Sequence, residues 1–583
     1  MMHKGVAVSP GVVVGRALLV DNAPEGAGAQ RLGAGQATAE FARLHRAIAA
    51  TERDLTAMVT KVAAQVGEHE ADIFRSHQLI LADPSFLKKV KEQIRQGGLT
   101  APSALQAVLS EYAEIFARVE DEYLKHRMAD IRDVIARVQL QFVKSSRDVF
   151  HVGHEPVVVV AHEILPSQAV SLGEINVAGI VTEAGSSTSH AAILARARAI
   201  PAVSGVKGIT GDVKSGDVII VDGGSGRVIV SPGPEVLTVY RTMQREFVQL
   251  KDRLIENRDL QAVTPDGVVI ELLANVNGLA DARLAADFGA VGVGLFRTEY
   301  LYLTHATIPD EDEQVEIYRQ VIRATPNQRV TIRTLDLGGD KSIPYLGHYG
   351  EANPFLGWRS LRISFEHPEM FRTQMRAILR AGRFGRVGMM FPMVTTPEEL
   401  ARVLRMVRQA KDELKRRLVP FGDVQTGIMV EVPAAAVCID KFLGPIDFVS
   451  IGSNDLVQYL MAADRDNPKV AHLCEPLNLA VLRVIKMVID ACNAAGKPVT
   501  LCGEMAGRPR AFLMLLGMGM RQFSMSPALI PTIKELVRLT PVAEAEKLLA
   551  HVLGMKTTGQ IRAYLTRQLH RLCPSLEILD TKR

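Results

Sequence analysis

The spacing of apolar residues changes twice along this chain, and each change marks a different kind of element. Residues 1 to about 22 are Val-rich around a Ser9-Pro10-Gly11 turn, a pattern that suits strands. From about Gly35 to Ser146 the spacing becomes helical, as in Phe41, Leu44, Ile48, Leu55 and Met58. Breaks at Asp83-Pro84-Ser85 and Gly97-Gly98 divide that stretch into roughly four helices, a bundle-like unit. Strand material returns at Val157 to Val160, then around Val218 to Val221 and Val228 to Val230. The helices therefore read as an insertion in an α/β domain that closes at about Gly233. Pro232 to about Asp259 keeps helical spacing at Val236, Tyr240, Met243, Phe247, Leu250 and Leu254. It is either the last helix of the first domain or a connector between two bodies that move.

Beyond Val263 the rhythm is apolar strand, polar loop, helix, repeated. Eight strands are expected: Val268 to Asn275, Ala290 to Phe296, Val330 to Asp336, Val387 to Met393, Thr426 to Glu431, Asp447 to Ser453, Pro498 to Cys502, and Gln522 to Met525. Eight units over about 280 residues fit a (β/α)8 barrel of the TIM type, with an open doubly wound sheet as the alternative. Arg297, Arg333, Glu431, Asn454, Asp455 and Cys502 all fall at or just past the carboxyl ends of strands, the face where barrels place chemistry. That favours the barrel, and with it a multidomain α/β protein.

Composition narrows the class. A chain of 583 residues is too long for one core. Its 68 basic and 64 acidic residues nearly balance, and no long basic block appears, so nucleic acid is not an expected partner. Lys4 ahead of an apolar run resembles a signal peptide, but Pro10, Gly11 and Arg16 interrupt it. No apolar stretch of about 18 residues appears either, so no membrane insertion is expected. The five cysteines, 438, 474, 492, 502 and 573, form no CxxC pair and read as reduced thiols of a cytoplasmic protein.

One stretch, Gly179 to Gly205, carries distinctive chemistry. A short apolar run ends in Ser186, Ser187, Thr188 and Ser189, and His190 then opens an Ala-rich helical pattern, Ala191 to Ala199. The free amides of a helix start favour an anion, and an imidazole there can accept a phosphoryl group on one nitrogen while the other fixes the tautomer. A lone histidine at a helix cap is equally at home as a surface residue. The string T-S-H, small residues, A-R, then P-A-V-x-G resembles the phosphohistidine signature of enzymes that take phosphate from phosphoenolpyruvate (PEP). Ser186-Ser187 stands where many relatives have Gly-Arg, and Pro166-Ser167-Gln168-Ala169 lacks a threonine of familiar members.

The second half strengthens the resemblance. GLFRTEYLY, RTLDLGGDK, NPFLGWRSLR, GIMVEVPAA, IGSNDLVQYLMAADRDN and LCGEMAG occur in the order found in the PEP-binding barrel of the same family. From residue types, Arg297 and Arg333 suit a bidentate grip on phosphate, with Arg359 and Arg465 as further cations and Asn454 as an amide donor. Glu431 and Asp455 are hard oxygen ligands suited to Mg²⁺, a role the resemblance assigns them. Cys502 can protonate the enolate carbon to give pyruvate. Asp336, Gly338, Gly339, Asp340 and Lys341 are expected to shape a loop near the phosphate, and the other cysteines to be structural or incidental.

The resemblance is closest to the branch of the PEP-utilising family that serves the bacterial sugar phosphotransferase system. It implies a phosphohistidine domain over 1–22 and 147–232, an inserted helical subdomain over 23–146, a linker over 233–260 and a PEP-binding, dimerising barrel over 261–583. It further implies a hinge motion that carries His190 to the barrel mouth, a small phosphocarrier protein (HPr) as acceptor, and a homodimer. Glu68, Glu70, His77 and Asp83 lie in the helical stretch where that carrier is expected to dock. A dikinase of the same family would need an ATP-binding domain, and no GxxxxGK[ST] loop is present. A regulatory protein built on a dead barrel is the non-enzymatic alternative.

Overall fold

A computed structural model describes the chain except residues 21–29, 34–35, 66–67, 118–121, 143–155, 165–167, 169–175, 185–194, 196–199, 304–306, 326–327, 339–350, 352, 466, 468 and 575–583. At 61–65, 68–73, 115–117, 122–129, 251 and 255 it describes the backbone alone. The chain divides into two compact units, Met1–Phe247 and Val248–Asp580.

The first unit is built on eight strands: β1 (Met2–Lys4), β2 (Val6–Ser9), β3 (Val12–Val20), β4 (Val157–Ala161), β5 (Val177–Thr182), β6 (Ala202–Ser204), β7 (Val218–Asp222) and β8 (Arg227–Val230). They form one sheet in the order β1-β8-β7-β3-β4-β5-β6-β2. The β-branched run of β4 is buried along its whole length, as expected of a strand flanked by parallel neighbours on both sides. β3 and β4 are adjacent and parallel, so everything between them is one crossover. Among the described residues that crossover holds five helices: Ala37–Gln65, Glu68–Ala82, Pro84–Arg95, Ala101–Ala117 and Glu122–Leu140. Roughly four were expected from the sequence. Between Ala37–Gln65 and Glu68–Ala82 the sequence offers a single glycine, a weaker signal than Asp-Pro-Ser or Gly-Gly. The helices enclose their own core, including Leu44, Leu55, Phe74, Phe86, Val90 and Leu105.

One helix, Pro234–Glu256, follows β8. Phe247 near its middle lies against Gly11, whose backbone has φ +120°, and a Cβ on Gly11 would come within 2.4 Å of the ring. Further along, Leu250 and Leu254 are buried in the core of the second unit. Arg253 pairs with Glu535 at 3.2 Å, and Asn257 donates to the same carboxylate at 2.6 Å.

The second unit closes eight parallel strands into a barrel: β9 (Glu271–Val276), β10 (Gly292–Phe296), β11 (Arg329–Arg333), β12 (Arg386–Phe391), β13 (Val424–Val430), β14 (Phe448–Ile451), β15 (Val499–Leu501) and β16 (Gln522–Met525). β16 pairs with β9, and this closure excludes the open doubly wound sheet. Helices return each strand to the next, and their starts are locally encoded. Thr396 and Glu399 form a capping box with Pro397 at the first helical position, and Asp310 with Glu313 forms another. Gly388 and Gly427 leave room for the Phe448 ring, since a Cβ on Gly427 would meet it at 2.6 Å. The Arg329 guanidinium covers the same ring at 4.3 Å near the amino ends of the strands.

Candidate functional site

Six of the polar groups singled out in the second half stand at or just beyond the end of a strand. Arg297 follows β10, Arg333 ends β11, Glu431 follows β13, and Cys502 follows β15. Asn454 and Asp455 open the helix Ser453–Met461 after β14. Several strands are shorter than expected: β11 stops at Arg333 rather than Asp336, and β12 at Phe391 rather than Met393. Apolarity continues past the ladder because Leu335, Leu337 and Met393 are buried in the loops. The early stop frees Asp336 to bend back over the mouth.

Asp336 is the hub of a buried ion network. It meets Arg333 Nη1 at 3.1 Å, and accepts from Arg359 Nε and Nη2, both at 3.0 Å. Arg333 Nη2 also donates to Glu299 at 2.9 Å. Arg359 reaches on to Asp455 through two contacts, 3.1 and 3.3 Å, and to the Tyr459 hydroxyl at 3.2 Å. Arg465 meets Asp455 at 3.5 Å from a more exposed position. Burial works against charge on Arg333 and Arg359, but the carboxylates around each outweigh it and hold both guanidiniums firmly protonated. Two planar cations are thereby fixed before any ligand arrives.

Arg297 is different. Its guanidinium has no hydrogen-bond or ion-pair partner among the described residues. Burial and the nearby Arg333 charge pull its pKa down. A desolvated cation beside a like charge is a site for an anion. Asn454 accepts from the Glu504 amide at 3.0 Å through Oδ1, which leaves its NH₂ to donate elsewhere.

Glu431 is fully buried. Oε1 accepts from the Met393 amide at 2.7 Å, while Oε2 has no partner among the described residues. Burial, then the charges of Asp455 and Asp336, push its carboxyl well above the ordinary range. A buried carboxylate oxygen with no donor, close to a second carboxylate, fits a cation. No group of three or more His, Cys, Asp or Glu suited to a metal occurs among the described residues.

The Cys502 thiol faces Leu295, Met390, Met429 and Phe448 inside the barrel. It is buried, and burial pushes the thiol up to about 11, with Ser450, Arg333 and Arg297 pulling it part-way back. The thiol donates to Ile451 O at 3.5 Å. Cys438 is exposed, Cys474 partly buried, and Cys492 and Cys573 buried away from these charges.

Sequence reasoning missed Glu299, Tyr459 and Asn275, and gave Asp336 only a loop-shaping role. Glu299 stood in the RTEYLY string, and Asn275 is a polar residue in an apolar strand. Their partners lie 34 and 227 residues away, which no local pattern reveals. His190, Ser186 to Ser189, Pro166, Ser167, Ala169, Gly339, Asp340 and Lys341 lie outside the described residues, as do the side chains of Glu68 and Glu70. His162, just past β4, pairs with Glu183, just past β5, at 2.8 Å. His77 is fully buried, 3.4 Å from Asp130, so it offers no docking surface, and Asp83 caps the helix Pro84–Arg95.

An α/β unit with a helical crossover, followed in the chain by a closed parallel barrel with guanidiniums, carboxylates and one thiol at its carboxyl mouth, defines a PEP-utilising enzyme. Three family models match accordingly: the PEP-utilising enzyme N-terminal model over 4–127, the mobile-domain model over 153–226 and the PEP-binding-domain model over 251–541. The phosphoenolpyruvate-protein phosphotransferase of Geobacillus stearothermophilus is 40% identical over 565 residues, covering 97% of each chain. That of Bacillus subtilis is 38% identical, covering 96% of this chain and 98% of its own. A solution structure of an enzyme I protein aligns with 42% of this chain and 99% of its own at 31% identity, TM-score 0.34. The chain belongs to the phosphoenolpyruvate-protein phosphotransferase family and is an enzyme.

Proposed function

We propose that the chain moves the phosphoryl group of PEP onto His190 and from there to a histidine of a small phosphocarrier protein of the HPr type, releasing pyruvate. This is the first step of the sugar phosphotransferase system or of its regulatory branch. The observation that carries the reading is the barrel mouth, where Arg297, unpaired among the described residues, and two pre-fixed arginines stand around a buried thiol. The relatives' shared name supports the same chemistry.

PEP is a phosphate and a carboxylate on one small frame. Arg297 and Arg333 take the phosphate, Arg359 and Arg465 add positive field, and the Asn454 NH₂ donates to a ligand oxygen. Glu299, Asp336 and Asp455 already pair with Arg333, Arg359 and Arg465, so among the described residues Arg297 is left to meet the anion without a counter-ion of its own. Glu431 and Asp455 would hold Mg²⁺, which when bound offsets charge on the phosphoryl and enolate oxygens.

In the transfer the P–O bond of PEP breaks as a P–N bond to His190 forms, in line and with little reorganisation of the fixed arginines. The electron pair left on oxygen collapses to a carbonyl as C3 takes the proton of the Cys502 thiol. The resulting thiolate is reprotonated from water. A thiol whose pKa is pushed up to about 11 stays protonated at neutral pH, as a donor must.

The domain organisation proposed is a phosphohistidine domain (1–22 and 147–232), a carrier-binding helical subdomain (23–146), a hinge helix (233–260) and the barrel (261–583). The enzyme is proposed to be cytoplasmic and homodimeric through its barrel; no helix among the described residues is long and apolar enough to cross a membrane. Incubation with [³²P]PEP and Mg²⁺ should label His190, and His190→Ala should abolish labelling. Label on another side chain, or labelling by ATP but not PEP, would overturn the proposal.

A further inference from the structure

Cys502 must present its hydrogen to one face of a planar enolate, and the structure holds the peptide that carries it from two sides. On one side, the Cys502 amide donates to Ile451 O of β14 at 3.0 Å. On the other lies β16, with β9 beyond it. From β9, Asn275 crosses β16 and donates through Nδ2 to the Cys502 carbonyl at 3.0 Å. Ser524 of β16 donates its hydroxyl to Asn275 Oδ1 at 2.6 Å. These two bonds are mutually consistent: the hydroxyl occupies the amide's acceptor end, so the NH₂ end must face Cys502.

We propose that Asn275, oriented by Ser524, is the positioning residue that fixes the face of enolpyruvate to which Cys502 delivers its proton. The inference deepens the reading above and rests on Cys502 being the donor. Asn275 and Ser524 make no ion pair with the arginine–carboxylate network, so capture of PEP and P–O cleavage do not pass through them. What they control is the peptide beside the thiol. With the carbonyl released, the thiol can depart from its near-attack geometry, and a displacement of about 1 Å at a reacting atom costs on the order of 10²-fold in that step. The enolate then leaves or takes its proton from water on either face, while His190 has already gained its phosphoryl group.

A single turnover of the full-length enzyme with Mg²⁺ separates the two steps. PEP carrying deuterium at one C3 position, turned over in tritiated water, yields a pyruvate methyl whose configuration records the face protonated. [³²P]PEP reports phosphorylation in parallel. The wild type should give one configuration. Asn275→Leu should give a nearly racemic methyl, with phosphorylation slowed no more than about threefold. Ser524→Ala, which keeps the amide but loses its orientation, should give a partial loss, and it carries the test if Asn275→Leu does not fold. Wild-type configuration in the folded variants, or phosphorylation falling while configuration stays intact, overturns the proposal. Cys502→Ala discriminates the underlying reading. Retained configuration there removes Cys502 as donor and the proposal with it. A racemic product there, with intact configuration in Asn275→Leu, overturns the positioning role alone.

Discussion

Asp336→Asn is the most informative single substitution in the barrel. The carboxylate accepts two bonds from Arg359 at 3.0 Å and meets Arg333 at 3.1 Å, all buried. Asparagine keeps one acceptor oxygen but no charge, so each guanidinium must rely on its remaining partner, Glu299 or Asp455. Breaking a buried pair by removing one partner costs about 3–5 kcal/mol, and the lower end applies because both arginines retain a carboxylate. The unit Val248–Asp580 holds roughly 330 residues, which at about 2.1 cal/mol/K per residue gives an unfolding entropy near 0.7 kcal/mol/K. A loss of about 3 kcal/mol therefore lowers the midpoint by about 4 °C. Differential scanning calorimetry of the ligand-free protein should register that drop in the barrel transition only. High salt should not erase it, because a buried pair is little screened. Glu369→Gln, which removes an exposed partner of Arg372, is the control and should stay within about 1 °C. Equal shifts in the two variants, or none in Asp336→Asn, would refute the claim that the network is pre-assembled.

Other outcomes follow from the same geometry. With the Cys502 thiol pushed up to about 11, its alkylation by iodoacetamide should rise about tenfold per pH unit from neutrality and level off only near that value. A plateau near pH 8 would contradict the burial argument. Because Glu431 holds its proton more tightly than an ordinary carboxyl, Mg²⁺ should bind with proton release and gain affinity as pH rises. Titration calorimetry in two buffers of different ionisation enthalpy would detect this, and identical heats would count against Glu431 as a ligand. Gly11→Ala combines a φ of +120° with a Cβ 2.4 Å from the Phe247 ring, so the N-terminal transition should fall by several degrees while the barrel's stays put. An unchanged N-terminal transition would mean that Phe247 yields without cost.

The strands of the barrel were readable because each is a short apolar run between polar loops, and all eight expected runs overlap an observed strand. Their ends were less readable. In Val330 to Asp336, burial of Leu335 beyond the last ladder residue imitates a longer strand. That Arg333 and Cys502 stand where strands stop was legible from the alternation of runs and loops, whereas the roles expected of them came from the resemblance. Their partnerships were not legible. That Asn275 holds the Cys502 carbonyl depends on closure of the ring, which brings β9 to β16, while Arg333 and Arg359 come to share Asp336 through the fold of the one connection that follows β11. His77 shows the opposite failure, since a titratable residue on an expected surface helix is fully buried.

The helical crossover has an architectural consequence. It leaves the sheet at Val20 and returns at Val157, on strands that are immediate neighbours in parallel register. Its own core is separate from those of the sheet. Such an excursion is a cassette: its surface can diversify, or be exchanged for another, while the ladder beneath keeps its register. Under the proposed carrier-binding role of the crossover, selectivity among carriers and delivery of the phosphoryl group can then evolve on separate schedules within one polypeptide.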